Sequence, residues 1–399
     1  MPWKQTDPMN ERIKMISEYQ SGDYSVAELA RRHDVSRQKI YKWIARYEQG
    51  GWAGLEERSS APHRQALATS PAVEMKILEL KARWPNWGAP KIRQKLLERI
   101  GAAQTPAEST LSAILKRHGL VKARRARGRA VPGNAGPLAH CAGANAVWCA
   151  DFKGWWKTRD GRRCEPLTVS DAWSRYLLKC VGLREGIGSE LVRPHFELLF
   201  REYGLPEAMR TDNGAPFAST GLGGLTALSV WWVRLGLRLE RIEPGCPQQN
   251  GRHERMHLAL EQSEQRVAQA NLARQQQALE AFRHEYNQER PHEALGQQTP
   301  AQHYQPSARH YEGRLPAARE YPEEWEVRRV RAGGRIKWQG REINVTRALA
   351  GEAIGLEPRS DGQWAVWFEH LELGIFDERK GRIERHRRLT YPPAEETSK

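Results

Sequence analysis

The hydrophobic period of the chain changes twice, and this limits the fold more than any single motif does. Up to residue 120 apolar residues recur at helical spacing. From residue 146 short apolar runs alternate with helical stretches. After residue 323 only short strand-like runs remain, separated by Gly and Asp. A 399-residue chain with this order is multidomain, with roughly two to four domains. The expected class is α-helical helix-turn-helix modules at the N-terminus, an α/β core, and a small β-barrel at the C-terminus. The expected boundaries are 1–50 and 65–122 for two helix-turn-helix domains, 123–144 for a basic linker, 145–310 for the core and 320–390 for the barrel.

The helical part carries clear start signals. Ile13, Ile16 and Tyr19 share one helix face. Ser25 followed by Glu28 is a capping box that opens a second helix. Ser36 caps a third, which buries Ile40, Trp43, Ile44 and Tyr47. Two short helices around a tight break form a helix-turn-helix, whose second helix enters the major groove. Arg37, Gln38, Lys39 and Lys42 are then the exposed DNA-reading positions. A small bundle with a solvated basic face is the other reading of the same pattern. Residues 71–119 repeat the arrangement, with helices opened by Pro71, by Pro90 and by Thr105-Pro106-Ala107-Glu108.

Charge and cysteine usage narrow the partners. Lys and Arg exceed Asp and Glu by 63 to 48, a formal charge of +15, which favours a polyanion through counterion release. Lys116, Arg117, Lys122, Arg124, Arg125, Arg127 and Arg129 form a basic run without an acid, and a Gly-, Pro- and Ala-rich stretch follows it. It reads as a tether that tracks phosphates, or else as a solvated loop. The five cysteines form no CxxC pair and begin only at Cys141, which argues against a disulfide framework and a structural zinc site. A reducing, cytoplasmic location is expected. The N-terminus lacks the apolar run of a signal peptide, and no stretch approaches the ~20 apolar residues that span a membrane.

Three acids carry the candidate chemistry. Strand alternation puts Val147, Cys149 and Asp151 on one face of the first core strand. A carboxylate there is costly unless a cation pairs with it. Asp212 follows a second short strand, in a sequence that also reads as an ordinary turn. Glu254 lies on a helix, in one stripe with Leu258 and Glu261. Each acid alone also fits a turn, a strand end or a helix-dipole role. Together they suit phosphodiester chemistry. That chemistry needs an activated nucleophile and charge neutralisation at the leaving oxygen, which two hard cations roughly 3.5–4 Å apart supply.

Four ordered motifs resemble those of insertion-sequence transposases of the DDE, retroviral-integrase core superfamily. They are Trp148-Cys149-Ala150-Asp151-Phe152-Lys153-Gly154, the run from Leu167 to Tyr176, Thr211-Asp212-Asn213-Gly214-Ala215-Pro216-Phe217, and the run from Pro247 to Arg255. Tyr286 to Leu295 and Thr299-Pro300 fit as well, so the resemblance covers about residues 10 to 310. It implies a ribonuclease H-like catalytic core in which Asp151, Asp212 and Glu254 hold two Mg²⁺ ions, with Mn²⁺ able to substitute. It implies binding of transposon-end repeats, hydrolysis that frees a 3′-hydroxyl, and joining of that end to target double-stranded DNA by a homo-oligomer, a dimer or tetramer. The interval between Asp212 and Glu254 holds 41 residues, longer than is usual in the family, which leaves Glu261 and then Glu243 as alternatives to Glu254. Lys153 approaches a phosphate or is solvated, and Arg252 and Arg255 contact DNA or pair with acids. Asn250 and Gly251 shape the entry to the helix. Asp171 caps or pairs near Arg175 rather than binding metal, His292 packs or hydrogen-bonds structurally, and Trp231, Trp232, Trp364 and Trp367 are core rather than base-stacking platforms. Two rival readings are a DNA-binding regulator with a degenerate core and a nuclease of this fold that never joins ends.

Overall fold

The computed structural model describes residues 7–57, 69–121, 141–184, 186–243, 247–263, 267–360 and 362–392. The run Lys122 to Arg129 lies outside them. The chain divides into two compact units, 1–69 and 70–399.

The first unit holds helices α1 (Pro8–Gln20), α2 (Val26–Arg32) and α3 (Arg37–Gly50). Local chemistry sets their ends. Ser25 Oγ accepts from Glu28 N while Glu28 Oε2 accepts from Ser25 N at 2.8 Å, closing the expected capping box. Ser36 caps α3. Asp34 takes a positive φ of 49° in the break between α2 and α3. Ile16, Leu29, Ile40, Trp43 and Ile44 form the core of this unit.

The second unit begins with α4 (Pro71–Arg83), α5 (Ala89–Ile100) and α6 (Glu108–Arg117). They pack around Ile77, Leu80, Trp87, Ile92, Leu96, Leu111 and Leu115. The expected cap at Thr105 is not made. Helix α6 starts at Glu108 behind Ala107 with no side-chain cap, and the Thr105 hydroxyl instead donates to the Gly101 carbonyl at 2.7 Å.

The α/β core follows. Its strands are β1 (Val147–Phe152), β2 (Trp156–Lys157), β3 (Arg163–Asp171), β4 (Leu177–Leu183), β5 (Ala208–Thr211) and β6 (Arg238–Arg241). Its helices are α7 (Ser189–Tyr203), α8 (Ala227–Arg234), α9 (Gly251–Glu261) and α10 (Leu272–His284). The sheet runs β2-β3-β1-β5-β6, with β4 also on β3. β1 is antiparallel to β3 but parallel to β5, and β5 is parallel to β6. Alternation along β1 divides the core. Trp148, Ala150 and Phe152 face α7 and α8 through Phe196, Phe200, Leu228 and Trp232. Val147 and Cys149 take the other face, on which α9 and α10 cover β3 and β4 through Met256, Leu260, Leu279 and Phe282. Trp231 and Trp232 are buried, as expected of core residues.

The C-terminal strands are β7 (Glu326–Arg329), β8 (Arg335–Trp338), β9 (Arg341–Asn344), β10 (Ala353–Ser360), β11 (Gln363–Phe368), β12 (Leu371–Asp377) and β13 (Arg382–Thr390). They correct the expected barrel. Five form one antiparallel sheet, β13-β12-β11-β10-β7, and β8-β9 form a separate hairpin. β7 and β13 stand at opposite edges and do not pair, so the sheet is open among the described residues. Its inner residues, among them Ile354, Val366, Phe368 and Leu373, join the same apolar cluster as α8.

Phe196 is fully buried between Phe200 and Trp232, with ring centroids 6.0 and 4.9 Å away. Phe196→Ala should lower the unfolding free energy of the second unit by about 3–5 kcal/mol in urea titration. A loss below about 1 kcal/mol would show that α7 does not anchor this core.

Candidate active site

Two of the three acids meet through strand register. β1 and β5 pair in parallel with Ala150 opposite Thr211. Asp151 is the next residue of β1 and Asp212 directly follows β5, on chains that such pairing holds about 4.8 Å apart. Asp151 Oδ1 accepts from the Phe152 amide at 2.7 Å. Asp212 Oδ1 accepts from the Gly214 amide at 3.1 Å. A Cβ at residue 214 would stand 3.0 Å from Asp212 Oδ2, so glycine there leaves the carboxylate room.

Helix α9 brings the third acid. Its His253, Met256, His257 and Leu260 are buried against the sheet, while Glu254, Leu258 and Glu261 lie on its exposed side. Burial drives the Asp151 carboxyl up to about 7; repulsion from Asp212 and then from Glu254 adds to the rise, and the Phe152 amide and Lys153 oppose it. Asp212 and Glu254 therefore both act on the Asp151 carboxyl. Glu261 instead faces Lys153, Nζ to Oε2 3.6 Å. Glu243 is tied at its amide to Gln249 Oε1, 2.8 Å away.

Below Asp151 lies a hydrogen-bonded layer that was not foreseen from the sequence. Thr168 is the β3 partner of Asp151, and Ser170 is the partner of Cys149. Thr168 Oγ1 lies 2.8 Å from His253 Nε2 and 2.7 Å from His257 Nε2. Ser170 Oγ lies 2.7 Å from His253 Nδ1. Burial holds both rings neutral, His253 well below its ordinary range and His257 down to about 3. The available signal was two histidines four residues apart flanking Glu254, opposite a Thr-x-Ser strand.

The remaining residues divide into free and engaged groups. Arg37, Gln38, Lys39 and Lys42 are exposed on α3. Lys116 is exposed on α6, whereas Arg117 pairs with Glu74 at 2.7 Å. Arg252 donates to the Ala172 carbonyl at 2.8 Å, and Arg255 is exposed. Asn250 is buried at the start of α9, where its Oδ1 accepts no hydrogen bond among the described residues. Asp171 accepts from the Asn145 amide and from the Ser174 amide and hydroxyl, so it holds a turn. His292 is half-buried, edge-on to Tyr286 at 4.8 Å.

The donor set suits a hard divalent cation. Two carboxylates side by side and a third nearby are all oxygen ligands, and their repulsion is relieved by a cation. Among the described residues, Asp151, His253 and His257 also bring one potential ligand atom each within 4.8 Å of one another.

Four family models match the chain. These are a helix-turn-helix domain at residues 11–63, a homeodomain-like domain at 39–115, an integrase core domain at 235–300, and an IS481 family transposase C-terminal domain at 325–384. An insertion element IS407 protein of Burkholderia multivorans is 30% identical over 185 residues, 46% of this chain and 64% of the relative. An insertion element IS476 protein of Xanthomonas euvesicatoria is 30% identical over 159 residues, 40% and 44%. The chain thus spans less than two thirds of either relative. Among solved structures, the HTLV-2 integrase catalytic core in complex with magnesium aligns at 15% identity and TM-score 0.29, covering 41% of this chain and 96% of that one. A simian T-cell lymphotropic virus intasome chain aligns at 15% identity and TM-score 0.35, covering 79% and 98%. No helix among the described residues is long and apolar enough to cross a membrane.

The pKa of Asp151 sets a pH signature for the metal-free protein. Between about pH 4 and 7 the folded protein holds a proton that the unfolded chain has released, so stability falls as pH rises through that window. Asp151→Asn removes this effect. Its stability advantage over the parent should grow by on the order of 2–3 kcal/mol from pH 5 to pH 8, measured by urea unfolding with chelator present. A constant difference across that range would mean that Asp151 is not held near neutrality.

Proposed function

We propose that this chain, which carries the integrase core and C-terminal domains of insertion-element transposases, is a metal-dependent DNA transposase. In this reading it binds transposon ends, cleaves phosphodiesters with water and joins the freed 3′-hydroxyl to target DNA. The observation that supports it best is the adjoining strand-end placement of Asp151 and Asp212, with Glu254 near enough to add to the rise in the Asp151 pKa. Ligands of open α/β sheets bind outside the carboxyl ends of the strands, where these groups stand.

Asp151, Asp212 and Glu254 would hold divalent cations. When bound, such ions neutralise the developing phosphate charge and lower the pKa of a coordinated water. The chain's own groups prepare the site. Asp151 gives up its proton near pH 7 to bind a cation, so uptake is linked to proton release. The exposed side chains of α3 offer charge and amide donors to a DNA groove, and Arg255 is a separate exposed cation on α9. The helix-turn-helix modules favour a DNA-positioning enzyme over a nuclease that only cleaves, which would need no end recognition. Joining two ends requires two active sites, which favours a homo-oligomer.

Asp151→Asn, Asp212→Asn and Glu254→Gln should each lower cleavage and strand joining of end-repeat DNA in Mg²⁺ by more than about 100-fold. Loss of an outer-shell group alone costs about 10–100-fold. End binding, read by mobility shift, should persist. A variant that still joins ends at the parental rate would remove its residue from the site. Replacing Arg37 or Lys42 with Ala should weaken end binding. For each phosphate left without its cationic partner, the slope of log affinity against log salt should shrink by about 0.9. An unchanged slope in both variants would take α3 off the DNA backbone.

A further inference from the structure

The hydrogen bonds under Asp151 fix which nitrogen of His257 carries hydrogen. Thr168 Oγ1 lies 3.0 Å from the main-chain oxygen of Asp151, an atom that only accepts. The single hydroxyl hydrogen of Thr168 is therefore committed there. The two lone pairs of the same oxygen face Nε2 of His253 and Nε2 of His257, so both rings donate from Nε2. Each neutral ring is left with a bare Nδ1. Ser170 Oγ donates to that of His253 at 2.7 Å. His257 Nδ1 has no such donor. It makes no hydrogen bond among the described residues and faces Asp151 Oδ2 at 3.9 Å.

Two electron-pair donors thus point into one gap. The separation is too long for a hydrogen bond. Two ligand bonds of about 2.0–2.2 Å span up to roughly 4 Å, so one ion fits between them. A metal-ligating histidine usually donates its second ring N–H to a fixed acceptor, which orients the ring, and Thr168 is that acceptor for His257. His257 is 8% exposed and cannot turn to solvent. His253 differs, because both of its nitrogens are committed to hydroxyls; it positions α9 and binds no ion.

We infer that His257 Nδ1 is a ligand of the cation held by Asp151, and that it shifts the site from Mg²⁺ toward ions that accept nitrogen, such as Mn²⁺ or Zn²⁺. This rests on the carboxylate-held cation of the proposed function. An imidazole ligand suits first-row transition ions, whereas Mg²⁺ keeps to oxygen. The three carboxylates alone would discriminate less between Mg²⁺ and these ions.

The test uses the full-length protein with Mn²⁺ alone and reads electron spin-echo modulation. The bound ion should show coupling to a directly coordinated ¹⁴N, and selective ¹⁵N-histidine labelling should convert that signal. His257→Gln should abolish the coupling and weaken Mn²⁺ binding by about 10-fold, with Mg²⁺ affinity changed less than about 3-fold. Should that variant fail to fold, the labelling result in the parent protein decides alone. Mn²⁺ that binds, is lost in Asp151→Asn, and shows no histidine nitrogen overturns this inference while leaving the carboxylate site standing. Retention of the coupling in His257→Gln also overturns it, since His253 would then be the ligand. Mn²⁺ binding that ignores Asp151→Asn overturns both the inference and the reading beneath it.

Discussion

Parallel pairing of β1 with β5 sets two aspartates at adjoining strand ends, and like charges so placed are unfavourable in the folded chain. The surrounding structure makes the arrangement tolerable without relieving it. Amides of Phe152 and Gly214 hold one oxygen of each carboxylate. Lys153, the nearest cation in sequence, lies against Glu261 at 3.6 Å, which limits what it offers Asp151. The site therefore retains an unmet need for positive charge, a feature that clusters at functional sites.

Both sides of the sheet serve this position. Trp148, Ala150 and Phe152 lock β1 onto α7 and α8, so the strand end cannot shift without breaking an aromatic core. On the opposite face α9 is seated by Met256 and Leu260 and fixed in rotation by the two histidines on Thr168 and Ser170. That rotation decides which side of α9 meets the carboxylates. The open C-terminal sheet extends the same apolar cluster, and Arg234 links α8 to Glu369 there at 2.9 Å.

Much of this was legible in the sequence because it is local. The caps at Ser25 and Ser36, the alternation along β1 and the strand-end positions of Asp151 and Asp212 follow from short-range rules. What was not legible depends on distant partners. Thr105 has every local mark of an N-cap, yet its hydroxyl turns to Gly101, and α6 begins three residues later. Closure of the C-terminal strands depends on whether β7 and β13 meet, which no single strand pattern records. Strand β13 itself, rich in arginine, lacks the alternation that marked its neighbours. The histidine layer appears only once α9 lies across β3, since Thr168 and His257 are distant in sequence.

The most direct measurement is the anomalous scattering of Mn²⁺ in crystals of the full-length protein bound to end-repeat DNA. The account predicts a peak between the carboxylates of Asp151 and Asp212, within ligand distance of both, with Glu254 turned toward the metal site. Manganese found only elsewhere, or a site built on Glu261 without Asp151, would contradict it.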